Sequence, residues 1–226
     1  MSMVFEQIRG KLVVSCQALP HEPMHSSFIM SRMAVAAMEG GAAGIRAQSA
    51  CDINAIAEVC PLPIIGIVKR KYDDSEIYIT PTMKEVEELL STRAEIIALD
   101  ATDRERPGGV LTKVLVDRIH GEGRLAMADC SIFEECLAAQ EMGFDIVSTT
   151  LSGYTAYSPK QEGPDFSLIR RCAEELSIPV IAEGRIHYPE DLKNSRRILV
   201  FSNMSQPAEI IFTGRFMGLR SGSCDI

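Results

Sequence analysis

Residues 63–70 read PIIGIVKR and residues 178–185 read IPVIAEGR. Each is a short apolar run that stops on a charge, Lys69 in the first and Glu183 in the second. An apolar run of this length is consistent with a strand buried on both faces, the kind found in parallel sheets. Opposite charges at the carboxyl ends of such strands lie where barrels and open α/β sheets keep their chemistry.

Working outward, six more runs of the same kind follow the same rhythm: KLVVSCQ (11–17), AAGIRAQ (42–48), EIIALDAT (95–102), RLAMADC (124–130), FDIVSTT (144–150) and RILVFSN (197–203). Helix-like segments lie between successive runs, and several carry a start signal: Asp52 before INAIAEV, Thr82 before MKEVEELL, Ser131 before IFEECLAAQEM and Asp165 before FSLIRRCAEEL. TMKE and SIFE also have the spacing of a capping box. Eight alternating units, with no break in composition and no linker, predict one domain over residues 1–226, an α/β protein built as a (β/α)8 TIM barrel. The doubly wound alternative lacks support, because no GxGxxG follows the first strand.

The composition sets limits on function. The chain has 226 residues, 46% of them hydrophobic, and a formal charge of −8, which suit a globular core of useful size. An acidic chain without a Lys/Arg stripe is a poor nucleic-acid binder, so an anionic substrate needs a local basic pocket. The seven cysteines are odd in number and show no CxxC spacing, which points away from a disulfide framework or zinc site and toward a reducing cytoplasm. His21, His25, His120 and His187 form neither HxH nor HExxH, so no metal is expected. The N-terminal MSMVFEQIRGK has no apolar signal core, and no run approaches the roughly 18 apolar residues of a membrane span.

In a barrel the strand ends share one face, which gathers Gln17, Arg46, Lys69, Asp100, Asp129, Thr149 and Glu183. Side chains alternate along a strand, so Ile65, Ile67 and Lys69 point one way, as do Ile181 and Glu183, and both charges lie over the interior. A structural Lys–Glu pair would fit the same placement, but buried ion pairs stabilise weakly. Cys16 and Cys130 alternate away from the interior and read as small buried hydrophobes.

Taken together, VSCQALP, GIRAQS, PIIGIVKR, IIALDATDRERP, MADCS, TTLSGYT and VIAEGRIH resemble the N-acylglucosamine-6-phosphate 2-epimerase family, over about residues 8–194. The resemblance implies a ribulose-phosphate-binding type of barrel. It also implies interconversion of N-acetylmannosamine 6-phosphate and N-acetylglucosamine 6-phosphate in amino-sugar and sialic-acid catabolism, without metal or organic cofactor. Only C2 inverts: a base removes its proton beside the C1 aldehyde and a proton returns to the other face. By resemblance, Lys69 and Glu183 are the catalytic pair, and Gln17, Arg46 and Asp129 contact the sugar. Asp129 could instead order the following helix, and Gln17 could satisfy loop backbone. Thr149, Gly184 and Arg185 complete the expected substrate contacts, with Gly184 serving the phosphate and Arg185, like Arg46, a cation able to activate the lysine. A Schiff-base aldolase or lyase would want the same lysine, and a non-catalytic sugar-phosphate binder would want the same pocket.

The resemblance fails toward the C-terminus. The family's last strand runs into a GSAITRP-like segment where residues 200–207 read VFSNMSQP, so Phe201 replaces an expected glycine and Gln206 an expected arginine. An atypical eighth unit is therefore expected, which either builds its phosphate site differently or weakens both ligand binding and the homodimer that the resemblance implies. Loss of one bidentate arginine contact costs about 1.5–3 kcal/mol.

Overall fold

The computed structural model describes residues 3–201 and 210–215. Eight strands, β1 (Lys11–Cys16), β2 (Gly44–Gln48), β3 (Ile64–Ile67), β4 (Ile96–Asp100), β5 (Leu125–Asp129), β6 (Ile146–Ser148), β7 (Val180–Glu183) and β8 (Ile210–Arg215), form a closed barrel in sequence order. All eight neighbouring pairs are parallel, and β8 closes the ring against β1.

Helices cover the outside: α2 (Ser27–Glu39), α3 (Ala50–Ala57), α4 (Met83–Leu90), α5 (Thr112–Gly121), α6 (Phe133–Met142), α7 (Phe166–Glu175) and α8 (Pro189–Phe201). Before β1, a short α1 (Met3–Ile8) contributes Phe5 and Ile8 to the inner cluster and so caps one end of the barrel.

The period-two alternation is visible in the two cores. Val13, Ile65, Ile67, Ile96, Ala98, Met127, Ile146 and Ile181 fill the interior. Their chain neighbours Val14, Ile64, Ile97, Ala126, Ala128, Val147 and Val180 pack outward under the helices. Gly66 is on the outward face, where an added Cβ would stand 2.9 Å from Ala94 Cβ and 3.0 Å from Ile53 Cδ1. The glycine in PIIGIVKR thus permits close helix packing on β3.

Three expectations are corrected. RILVFSN is not the eighth strand: residues 197–201 are the end of α8, and β8 lies at Ile210–Arg215. The helix is set by Pro189 at its first position and by Asp191 Oδ2, which accepts from the backbone N–H groups of His187 and Tyr188. The glycine-to-Phe201 replacement consequently falls in a helix, and Gln206 lies outside the described residues. The cap of α3 is Ser49, whose side chain accepts from Asp52 N–H, so Asp52 sits inside the first turn. At α6 the reach-back comes from Glu135, which accepts from Ser131 N–H at 2.6 Å and Ile132 N–H at 3.2 Å, one residue later than SIFE spacing implies. Thr82 and Asp165 do cap their helices, Thr82 in a capping box with Glu85.

Candidate active site

The inner columns of β2, β5, β6 and β7 end in a polar cluster. Arg46, 1% exposed, donates from Nη1 to Asp129 Oδ1 at 3.2 Å and from Nη2 to Asp129 Oδ2 at 2.5 Å. The same Nη1 donates to Glu183 Oε2 at 3.0 Å. A single guanidinium thus serves two carboxylates, one of them fully buried, in the forked geometry that suits such pairing. Burial opposes the charge on Arg46, but Asp129 and then Glu183 outweigh it and hold its pKa above the ordinary arginine value.

Thr150 completes the cluster. Its Oγ1 lies 3.0 Å from Asp129 Oδ1 and 2.9 Å from Glu183 Oε2, in short contact with Ser148 Oγ. Thr149, the threonine expected here, faces the other way: its Oγ1 donates to Glu183 O at 2.7 Å and accepts from Glu183 N–H at 3.1 Å. It joins β6 to β7 through backbone and does not reach the interior. Counting the inner column from Ile146 through Ser148 leads to Thr150, a signal present in FDIVSTT itself.

Lys69 follows Ile65 and Ile67 in the β3 column and is half-buried. It sits on the first arm of a hairpin, paired antiparallel with Ile79 of the inner cluster. The return arm is wedged between β3 and β4: Asp100 N–H donates to Ile79 O at 3.1 Å, and Thr80 Oγ1 donates to Ala98 O at 2.7 Å. Thr80 has φ +45°, unusual for a β-branched residue, and is fully buried. Buried Arg106 holds it there by donating to the carbonyls of Thr80 and Pro81. The catalytic candidate therefore has a rigid mount that the apolar run alone does not announce. Tyr78, on the same arm, packs against the inner cluster, and its phenol pKa is raised by burial and then by Asp129 and Asp100.

Gln17 is half-buried and donates to Ser15 Oγ at 2.7 Å within its own inner column. Gln48, which sequence reasoning passed over, occupies the β2 column two residues after Arg46 and donates to Ala18 O at 3.2 Å. Asp100 is buried and held by Thr102 and by Arg104 Nη2 at 2.7 Å. Burial raises its pKa, while Thr102 and Arg104 pull it back.

Gly184, with φ +102°, turns the chain after β7, so an added Cβ would stand 3.4 Å from Thr149 O. Arg185 is not aimed at the lysine: Nε donates to Gly163 O at 2.8 Å and Nη1 to Ser152 O at 2.6 Å, tying down the loop between β6 and α7. Cys16 and Cys130 face outward in the helix-side core, and burial followed by Cys60 pushes the Cys16 thiol up to about 12. A groove of about 680 Å³ on the barrel flank, lined by Arg106, Leu111, Glu134 and Phe144 among others, includes none of the expected site residues. Among the described residues no helix is long and apolar enough to cross a membrane.

Comparison with known proteins shows the family and the barrel fold. Residues 30–209 match the model of the NanE family, described as "Putative N-acetylmannosamine-6-phosphate epimerase". A relative from Clostridium perfringens, named "Putative N-acetylmannosamine-6-phosphate 2-epimerase", is 60% identical over 199 residues, covering 88% of this chain and 90% of its own length. One of the same name from Oceanobacillus iheyensis is 47% identical over 225 residues, covering 95% and 100%. The solved structure of the N-acetylmannosamine-6-phosphate 2-epimerase from Clostridium perfringens superposes with a TM-score of 0.88 at 56% identity, over 94% of this chain and 90% of that one. A thiamine phosphate pyrophosphorylase from Pyrococcus furiosus, 15% identical with a TM-score of 0.58 over 93% of this chain and 87% of its own, shares the fold. The chain belongs to the NanE family of N-acetylmannosamine-6-phosphate epimerases.

Proposed function

We propose that this chain is a carbohydrate 2-epimerase that interconverts N-acetylmannosamine 6-phosphate and N-acetylglucosamine 6-phosphate in amino-sugar and sialic-acid catabolism, with Lys69 and Glu183 as its acid–base pair. The observation that carries the reading is topological. In a closed ring of eight strands, β3 and β7 stand four apart, so Lys69 and Glu183 start from opposite walls of one mouth. Inverting a carbon by proton transfer needs groups on both of its faces, and a lysine and a carboxylate on facing strands support that reading.

Once the ring is open, the C1 aldehyde makes the C2 proton acidic. Lys69 takes that proton, the negative charge moves onto O1 of the resulting enolate, and a proton returned to C2 from the Glu183 side of the mouth completes the inversion. Glu183 moves protons at O1 and the ring oxygen, held in place by Arg46 and Thr150. Asp129 fixes Arg46, while Gln17 faces the sugar from β1. The turn at Gly184 opens the backbone toward the phosphate, where barrels of this kind bind it between the last two strands. The homodimer that the family resemblance implies is part of the proposal, and gel filtration tests it.

A proton NMR time course of N-acetylmannosamine 6-phosphate in heavy water tests the whole reading. Deuterium at C2 of newly formed N-acetylglucosamine 6-phosphate is the expected result. An unchanged spectrum from folded protein overturns the assignment.

A further inference from the structure

The hydroxyl of Thr150 has one proton and more potential acceptors than it can serve. Asp129 Oδ1 lies at 3.0 Å, Glu183 Oε2 at 2.9 Å and Ser148 Oγ closer still. A threonine hydroxyl donates once and accepts through its lone pairs. If both carboxylates are ionised, Thr150 can donate to only one of them at a time. From Arg46, Asp129 takes two hydrogen bonds and Glu183 Oε2 takes one, at 3.0 Å, and Ser148 Oγ lies 3.4 Å from the same Glu183 oxygen.

From this placement of one hydroxyl between two carboxylates we infer that Thr150 is a positioning residue, a hydroxyl rotor that lets Glu183 gain and lose a proton without any heavy atom moving. With Glu183 ionised, Thr150 Oγ–H points to Glu183 Oε2 and Ser148 Oγ–H points to Thr150. When Glu183 takes a proton from the sugar oxygen, its O–H donates to Thr150 Oγ1, and the Thr150 hydrogen swings to Asp129 Oδ1. The transferred proton passes between Glu183 and the sugar oxygen alone, while Thr150 keeps its own proton throughout. Arg46 keeps Asp129 fixed in both states. The inference rests on the acid–base role proposed above for Glu183.

Among the described residues, the charged groups of the cluster are Arg46 on β2, which donates to Glu183, and Asp129 on β5, while Lys69 after β3 and Asp100, held by Arg104, end the inner columns of β3 and β4. Tyr78, from the hairpin, interacts electrostatically with both Arg46 and Asp129. A substitution at Thr150 removes none of these charges. A hydrogen bond to an ionised carboxylate is stronger than one to its neutral form, so removing the hydroxyl favours protonated Glu183.

The test uses Thr150→Val and Thr150→Ser, with melting temperature as the check on folding. Carboxyl-carbon NMR of glutamate-labelled protein follows Glu183 directly, assigned by its loss in Glu183→Gln, and needs no activity. Thr150→Val is expected to move the Glu183 titration, and the matching limb of the pH profile of kcat/KM, upward by about one to two pH units. Thr150→Ser is expected to restore both. An unmoved titration in folded Thr150→Val overturns the rotor, as does an equal shift in Thr150→Ser, which would assign the effect to the methyl group. Should Thr150→Val not fold, Thr150→Ala is read against Thr150→Ser in the same way. A normal NMR shift in a chain that does not epimerise would overturn the proposed function and leave the rotor standing.

Discussion

Arg46 of β2 and Asp129 of β5 meet across the barrel interior through two hydrogen bonds, at 3.2 and 2.5 Å, with almost no solvent exposure on either partner. Removing one partner of such a pair leaves an uncompensated buried charge, which costs about 3–5 kcal/mol. Here the cost of losing the arginine is compounded, because Glu183 also depends on it. Arg46→Ala is therefore expected to lower the unfolding free energy by about this amount, read from a denaturant titration. An unchanged midpoint would mean that the cluster is solvated, contrary to its burial.

Lys69 makes a different prediction, because it is half-buried on a hairpin whose backbone is held by Asp100, Val68 and Ala98. None of those bonds involves the ammonium group. Lys69→Ala should leave the melting temperature close to that of the parent while abolishing deuterium uptake at C2. Lys69→Arg should fail equally, since a guanidinium does not give up its proton near neutral pH. Parent-like exchange in either variant would remove Lys69 from the role of base.

Seven of the eight strands were readable as short apolar runs, and the inward direction of the charges at their ends because side chains alternate along a strand. Lys69 and Glu183 follow from that period, whereas Arg46 and Asp129 follow from their places at strand ends and from the family resemblance. The pairing of Arg46 with Asp129 and Glu183 does not, since it spans separations of 83 and 137 residues that no local pattern records. Thr149 and Thr150 differ by one position, and a one-residue shift reverses the face. The strand misread at RILVFSN has another cause: a short apolar run fits the end of a helix as well as a strand. The cap at Ser49 was hidden because its φ of +72° is unusual for serine, so only the structure reveals the turn.

Gly184 carries a prediction about ligand affinity. Its φ of +102° is strained for any residue with a Cβ, and the added atom would also press toward Thr149 O at 3.4 Å. Gly184→Ala is expected to cost about 1–3 kcal/mol of stability. Because the turn leads from Glu183 into the proposed phosphate loop, KM for the 6-phosphate sugar should rise more than kcat falls. A fall confined to kcat would place the phosphate elsewhere.

Glu85 links acid stability to the lysine's mount. Its carboxylate accepts from Thr82 N–H at 2.9 Å, from Thr82 Oγ1 at 2.5 Å, from Tyr72 OH at 3.0 Å and from Arg70 Nη1. Burial alone would raise its pKa, but the bonds from Thr82, Arg70 and Tyr72 outweigh burial and lower it. A carboxyl lowered on folding binds fewer protons in the folded chain than in the unfolded one. Its contribution is therefore complete above the unfolded value of about 4.3 and is lost as the pH falls through the folded value. Glu85→Gln should be less stable than the parent at pH 7, and the two curves should converge in acid, as followed by denaturant midpoints from about pH 5 downward. Arg70 directly follows Lys69, and Tyr72 lies at the turn of the same hairpin, so loosening their anchor frees the arm that carries the base. Glu85→Gln should accordingly lower kcat at pH 7, where the parent is fully stable; parent-like kcat would show that the mount of Lys69 is set by the β4 side of the hairpin alone.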